Sequence, residues 1–387
     1  MQNNRKLILG SYFGFIVMGM IVISFGSTMP YIRESFNFNY ELGGLILAIF
    51  SFSYLINGFL SGLLIDKLGH KRVLLMGNVG YVIGLVLIAL SMNHVFFFIA
   101  VAVLGIGWGF YNTTGNVIMN DATKGDGKAM LLLHMSFGIG AFISPLIFGF
   151  LMKLGLTWRS FYLLLAVFSA LSFAINLKLE LPKLEDEEIK KTKLNQLNLK
   201  KIGLFMAILF FYVGVENGFS GWMTSYIKES TSIADTSAQS LLSVLWLTMI
   251  FGRLGIGFLG ANLSKVFMVF MSSVMLILGM LVFIVSTTWL PILVSVIIIG
   301  FAMSGIYPLT LADANPYIKG SGLATALVIS GGGMGASSIP YLSGKFADMW
   351  GTKAILVTIT ISTAILIFCT FFNWKISQIE ANRQTNV

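Results

Sequence analysis

The chain lacks most of what a large soluble protein needs. Charged residues occupy 11% of its 387 positions against 56% apolar, which excludes a sizeable solvated domain. One cysteine, Cys369, rules out a disulfide framework and a thiolate metal cluster. The three histidines, His70, His94 and His134, are far apart and show no metal-ligand spacing, so neither a metal nor a cofactor is expected. Ser/Lys, His/Glu/His and paired-aspartate constellations are missing from the apolar runs, which argues against an intramembrane enzyme. Acidic residues are scarce too, 16 against 25 basic ones, but the basic residues fall in the breaks between apolar runs. That distribution reports membrane topology and not a nucleic-acid-binding face.

What the chain has is apolar length. A spanning helix needs about 20 apolar residues. Hydropathy places twelve spans, near 7–29, 42–64, 73–91, 94–119, 130–153, 158–177, 202–223, 237–260, 266–286, 289–312, 321–344 and 352–373. The first run is too long for a signal-peptide core and no small-residue cleavage pattern follows it, so it reads as a span. The long charged stretch from Lys178 to Lys201 reads as a cytoplasmic linker, in part an interfacial helix. The expected fold is an all-α membrane protein of twelve transmembrane helices in two six-helix bundles, residues 1–177 and 202–387, joined by linker 178–201.

Orientation follows from the basic residues. With the N-terminus inside, eighteen lysines and arginines face the inner side, among them Arg5, Lys71, Arg72, Lys128 and seven in the linker. Six face outward: Arg33, Lys153, Arg159, Lys228, Lys345 and Lys353. This bias puts both termini in the cytoplasm, with a bacterial cell membrane as the expected location.

An internal repeat is visible. A shift of 195 residues aligns Gly138, Gly140, Ala141, Pro145 and Gly149 with Gly333, Gly335, Ala336, Pro340 and Gly344, and Gly105 with Gly300. Pro145 and Pro340 are expected to kink their helices at matched places.

Between spans 2 and 3 runs Gly62-Leu-Leu-Ile-Asp66-Lys67-Leu-Gly69-His70-Lys71-Arg72. Its glycines permit a tight turn and close helix approach, and Asp66 can accept hydrogen bonds from a helix N-terminus or an arginine. The run resembles the signature loop of the major facilitator superfamily, with His70 in place of a basic residue. The resemblance implies a carrier working by alternating access, with Gly62, Asp66, Gly69, Lys71 and Arg72 holding the inner gate. In the second half Gly260 stands where Asp66 does, so that latch is expected to be degenerate. Arg253, near the inner end of span 8, reads as a further gate contact, by snorkelling or by meeting a carboxylate such as Asp313.

A carboxylate in a span is costly and is usually functional. The clear case is Glu216, in Phe211-Tyr-Val-Gly214-Val-Glu216-Asn217-Gly218-Phe-Ser-Gly221-Trp222, whose small residues suggest a broken or closely packed helix. Glu216 reads either as a proton-titrating or sugar-binding group or, from the outer part of the span, as a lock to a lysine or hydroxyl. The run resembles span 7 of the fucose:proton symporter-like branch, as do the segments from Gly300 to Thr310 and from Ile329 to Gly335. In the fucose-transporting members acids stand where this chain has Asn112 and, nearby in span 1, Ser27. Their absence leaves Glu216 as the proton-coupling candidate.

Asn112 and Asn116 share one helix face and can hydrogen-bond sugar hydroxyls or glue helices together. Ser27, Tyr54, Asn57, Asn217, Trp222, Trp246 and Tyr307 complete the substrate-binding candidates, aromatic faces suiting a pyranose and amides its hydroxyls. The expected function is proton-coupled uptake of a sugar or similar small polar solute. A proton-driven exporter of drugs or lipid-like amphiphiles is the alternative, favoured by the aromatic and methionine content, and a non-transporting nutrient sensor a third.

Overall fold

A computed structural model describes residues 2–179, 198–259, 263–318 and 321–385. Within them lie twelve helices: α1 (Gln2–Phe36), α2 (Tyr40–Leu68), α3 (His70–Leu90), α4 (His94–Ala122), α5 (Gly127–Lys153), α6 (Trp158–Lys178), α7 (Leu199–Ser230), α8 (Asp235–Leu259), α9 (Lys265–Val285), α10 (Trp289–Ile318), α11 (Gly322–Trp350) and α12 (Lys353–Thr385). All twelve are long and apolar enough to cross a membrane. Most of the expected linker, with its interfacial helix, lies outside the described residues, as does Gly260.

The breaks are built by short polar caps and by glycine. Asn39, Asn93, Ser264 and Ser321 each accept a backbone N–H from the first turn of α2, α4, α9 and α11. Gly69, at φ +81°, ends α2 and starts α3, a backbone conformation that only glycine adopts at no steric cost. This accounts for one glycine of the signature loop. Asp66 and Arg72 of that loop are exposed and make no hydrogen bond or ion pair among the described residues, and the half-buried Lys71 caps the end of α6 through the carbonyls of Leu177 and Leu179 at 2.9 and 2.8 Å. The inner latch expected of Asp66 is therefore not engaged in this conformation.

The repeat reappears as matched packing. Gly105 of α4 backs onto the carbonyl of Phe50, and Gly300 of α10 onto that of Leu245, 195 residues on. Gly138 of α5 seats Ile250 of α8, and Gly333 of α11 seats Leu55 of α2, again 195 apart. Gly140 brings α5 against the Ile16 carbonyl of α1, and Gly335 brings α11 against the Phe210 carbonyl of α7. Small residues let backbones touch where hydrocarbon offers no hydrophobic drive to association. Helices α3, α6, α9 and α12 pack outside these, bracing α4, α1, α10 and α7. Helix α7 is continuous, so its small residues serve close packing and do not break it.

The main packing between α1–α6 and α7–α12 runs through α2 with α11, α5 with α8 and α1 with α7. Among the described residues, every side-chain hydrogen bond and ion pair joining the two sets lies at the end away from the termini. Arg33 pairs with Glu229 at 2.9 Å and lies 3.6 Å over the ring of Tyr40, whose hydroxyl also donates to Glu229. Asp348 of α11 accepts the first N–H groups of α2, from Tyr40 and Glu41, at 2.9 and 2.8 Å. Tyr341 donates to Glu41 at 2.6 Å, Tyr31 to Asp235 at 2.8 Å and Gln239 to the Ser27 carbonyl at 2.9 Å. The far end is shut, and among the described residues no side-chain hydrogen bond or ion pair joins the two sets at the end carrying the termini.

Two tests follow from this packing. Gly140→Val and Gly335→Val each push a side chain into a neighbouring carbonyl and should lower the unfolding midpoint in detergent, an overpacking cost of about 1–3 kcal/mol. Gly62→Val, where an added Cβ meets nothing within 4 Å, should leave the midpoint unchanged. Glu229→Ala removes both the Arg33 ion pair and the Tyr40 hydrogen bond, at about 1 kcal/mol, and should open the far end about fivefold more often. In a Cys369→Ser background, a Ser220→Cys thiol should then react several-fold faster with an impermeant reagent applied from the far side; an unchanged rate means these contacts do not hold that end shut.

Candidate functional site

Between the two sets of helices lies a cavity of about 240 Å³ walled by α1, α2, α4, α5, α7, α8, α10 and α11. Two helices give it whole faces. Val213, Glu216, Asn217 and Ser220 of α7 line it at i, i+3, i+4 and i+7, and Ile329, Gly332, Gly333 and Ala336 of α11 repeat that spacing. The glycines of α11 thus serve as floor as well as packing, leaving room where a larger side chain would fill the cavity.

One wall is an aromatic platform. The ring of Tyr54 stacks on Trp108 with centroids 4.0 Å apart, and Trp108 stacks in turn on Phe50 at 4.8 Å. Asn112, one turn beyond Trp108 on α4, donates from Nδ2 to the Tyr54 hydroxyl at 3.1 Å. Asn116 turns back on its own helix, donating to the Asn112 carbonyl at 2.7 Å. The opposite wall carries the charge. Glu216 and Arg253 both line the cavity, yet neither makes an ion pair within 4.0 Å among the described residues. Arg253 Nε and Trp246 Nε1 are buried without an acceptor, and Phe137 meets the Trp246 ring edge-on at 5.8 Å.

The structure sorts the residues singled out in the sequence. Tyr54, Asn112, Asn217, Trp246, Tyr307 and Glu216 come together in the cavity wall. Ser27, Asn57, Asn116 and Trp222 do not line it. Ser27 is fully buried in α1, and Asn57 bonds the Ser53 carbonyl at 2.8 Å. Trp222 is fully buried above the cavity and donates to the Pro340 carbonyl at 3.0 Å, a bond between α7 and α11. Two placements need correction. Glu216 sits near the middle of α7, not in its outer part; among the described residues it has no lysine partner, and its hydroxyl neighbour is Tyr212, one turn before it on the same helix. Arg253 faces the cavity and does not meet Asp313, whose carboxylate accepts from Asn373 at 2.8 Å.

Sequence reasoning passed over His134, which also lines the cavity. A lone histidine with no ligand spacing carries no signal, but its place in the repeat does. The shift of 195 residues matches His134 with Ile329 and Asn112 with Tyr307, and all four are cavity residues. Glu216 and Arg253 match Ile21 and Gly58. The scaffold is therefore two-fold while the charged groups at its centre are one-sided.

Comparison with known proteins agrees with this architecture. "Protein TsgA homolog" of Buchnera aphidicola subsp. Schizaphis graminum is 26% identical over 81% of this chain and 81% of its own. The glucose/mannose transporter GlcP of Bacillus subtilis is 25% identical over 96% of this chain and 95% of its own. The crystal structure of a mutant of the nucleoside transporter NupG superposes with a TM-score of 0.80 at 16% identity, covering 95% of this chain and 99% of that one. Residues 11–312 match the Major Facilitator Superfamily, and with twelve spanning helices around a central cavity the chain belongs to that superfamily of membrane transporters.

Proposed function

We propose that the protein takes up a sugar or similar small polar solute by proton-coupled alternating access. The observation that carries this reading is the central cavity, which brings a stacked aromatic platform and the amides of Asn112 and Asn217 together with a carboxylate set in the middle of a span. Aromatic faces suit the apolar side of a sugar ring and amides read its hydroxyls. A cavity of about 240 Å³ fits a small solute better than a drug-sized amphiphile, whose sites run to about 300–1,000 Å³. The glucose/mannose relative and the resemblance of the Glu216 run to the fucose:proton symporter-like branch point the same way.

In this reading α1–α6 and α7–α12 are two bundles that rock about the cavity, in a bacterial cell membrane with both termini cytoplasmic. The conformation described is then the inward-open one, its outer gate closed by Arg33, Tyr40, Glu229 and Asp348. Glu216 takes a proton from outside and releases it inside, and the proton neutralises the site for one leg of the cycle.

The test is flux in proteoliposomes under an imposed pH gradient, with a panel of labelled monosaccharides and polyols. Wild type should accumulate at least one of them against its gradient. Glu216→Gln should abolish accumulation while keeping solute exchange, and Tyr54→Ala should weaken binding by about 1–2 kcal/mol through loss of the platform. Accumulation by Glu216→Gln with unchanged pH dependence sinks the coupling role. Failure on every sugar, with inhibition by hydrophobic cations, selects the amphiphile exporter.

A further inference from the structure

The group left unexplained by a neutral sugar is Arg253. A guanidinium inside a span is costly and is kept only where it finds a partner or a task. Among the described residues it has no carboxylate within 4.0 Å, and its Nε is buried without an acceptor. Asp313, the carboxylate of α10, accepts from Asn373 at 2.8 Å. Two turns before Arg253 on α8, Trp246 presents a second buried donor, Nε1, also without an acceptor. Both side chains line the cavity, and His134 of α5 adds further ring nitrogens there. Among the described residues, then, two donors on α8, Arg253 Nε and Trp246 Nε1, are left without an acceptor beside a fixed positive charge.

From this we infer that the solute bears one carboxylate, bound by Arg253 and Trp246, and that the cavity is built for an acidic sugar such as a hexuronate or aldonate. The inference rests on the small-solute reading above and names its substrate class. A guanidinium accepts a carboxylate in a two-pronged bond, which supplies orientation as well as affinity. One fixed positive charge matches a monoanion, whereas a sugar phosphate would leave a negative charge uncompensated.

Charge balance links the anion to the proton. The groups facing Arg253 and Glu216 are His134 from α5, Tyr212 from α7, Tyr54 from α2 and Tyr307 from α10; the cavity residues of α1, α4 and α11 carry no titratable group. Tyr212 is committed to the Met303 carbonyl at 2.8 Å. With Glu216 ionised, its charge offsets that of Arg253, and an incoming carboxylate leaves the cavity one negative charge in excess. A proton on Glu216 frees Arg253 for the anion. The two therefore bind together, each raising the affinity for the other, and one proton moving with one monoanion carries no net charge.

The test uses the purified full-length protein. Binding of glucuronate, galacturonate and gluconate is compared with that of glucose, galactose and glucose 6-phosphate by titration calorimetry, in wild type, Arg253→Gln and Arg253→Lys, with unfolding midpoints as the folding control. At least one acid should bind about tenfold or more tightly than its neutral parent. Arg253→Gln should weaken that acid on the order of 10- to 100-fold and the neutral parent by less than about twofold, with Arg253→Lys in between. Neutral sugars binding as well as the acids, with Arg253→Gln changing neither, overturns this inference and spares the sugar reading. Tighter binding of glucose 6-phosphate overturns the carboxylate assignment. Binding of hydrophobic cations alone overturns both. If Arg253→Gln does not fold, wild-type proteoliposomes decide: acid uptake driven by a pH gradient should not respond to a potassium-diffusion potential, and a response overturns the electroneutral pairing.

Discussion

An unpaired amide or charge in hydrocarbon costs several kcal/mol, so a chain with 11% charged residues crosses the bilayer only as helices and keeps its few intramembrane charges away from lipid. The rest of the molecule follows from that. Backbone groups are satisfied within each helix, caps such as Asn39 and Ser321 finish the ends, and glycines bring the helices together where apolar side chains gain little from touching. Glu216 and Arg253, which the lipid will not tolerate, are left with one destination, the space between the two sets of helices.

The same constraint bears on how the two sets of helices are joined. The contacts that shut the far end are hydrogen bonds and partly exposed ion pairs, each worth about 1 kcal/mol or less. Backbone also packs against backbone, within each set at Gly140 and Gly335 and between the sets at Gly26 with Ser220, Gly44 with Tyr341 and Gly344 with Tyr40. Polar contact between the sets is thus gathered at the far end, while glycine packing joins helices both within and between the sets.

Much of this was legible in the chain. Twelve apolar runs, polar breaks and the 195-residue shift were enough for the helices, and the signature loop for the superfamily, because hydropathy and glycine spacing are local signals. The candidate site was legible only in part. Glu216, Tyr54 and Asn112 stand out as polar groups in apolar runs, but Arg253 lies close enough to a helix end to pass for a snorkelling residue, and His134 has no neighbour in sequence to mark it. The far-end contacts were invisible for another reason. Arg33, Glu229 and Asp348 sit at helix ends, where an isolated charge looks like any solvated residue, and only the fold shows that they meet across the two sets.

The mismatch between a two-fold scaffold and a one-sided centre has an electrical consequence. Position for position the repeat pairs Glu216 with Ile21 and Arg253 with Gly58, so both fixed charges belong to α7 and α8. Opposite in sign and carried by the same set of helices, they cancel while Glu216 is ionised, so the cavity face of that set then bears no net charge. The repeat thus supplies the scaffold twice and the pair of opposite charges once, and whatever moves one of those charges moves the other with it.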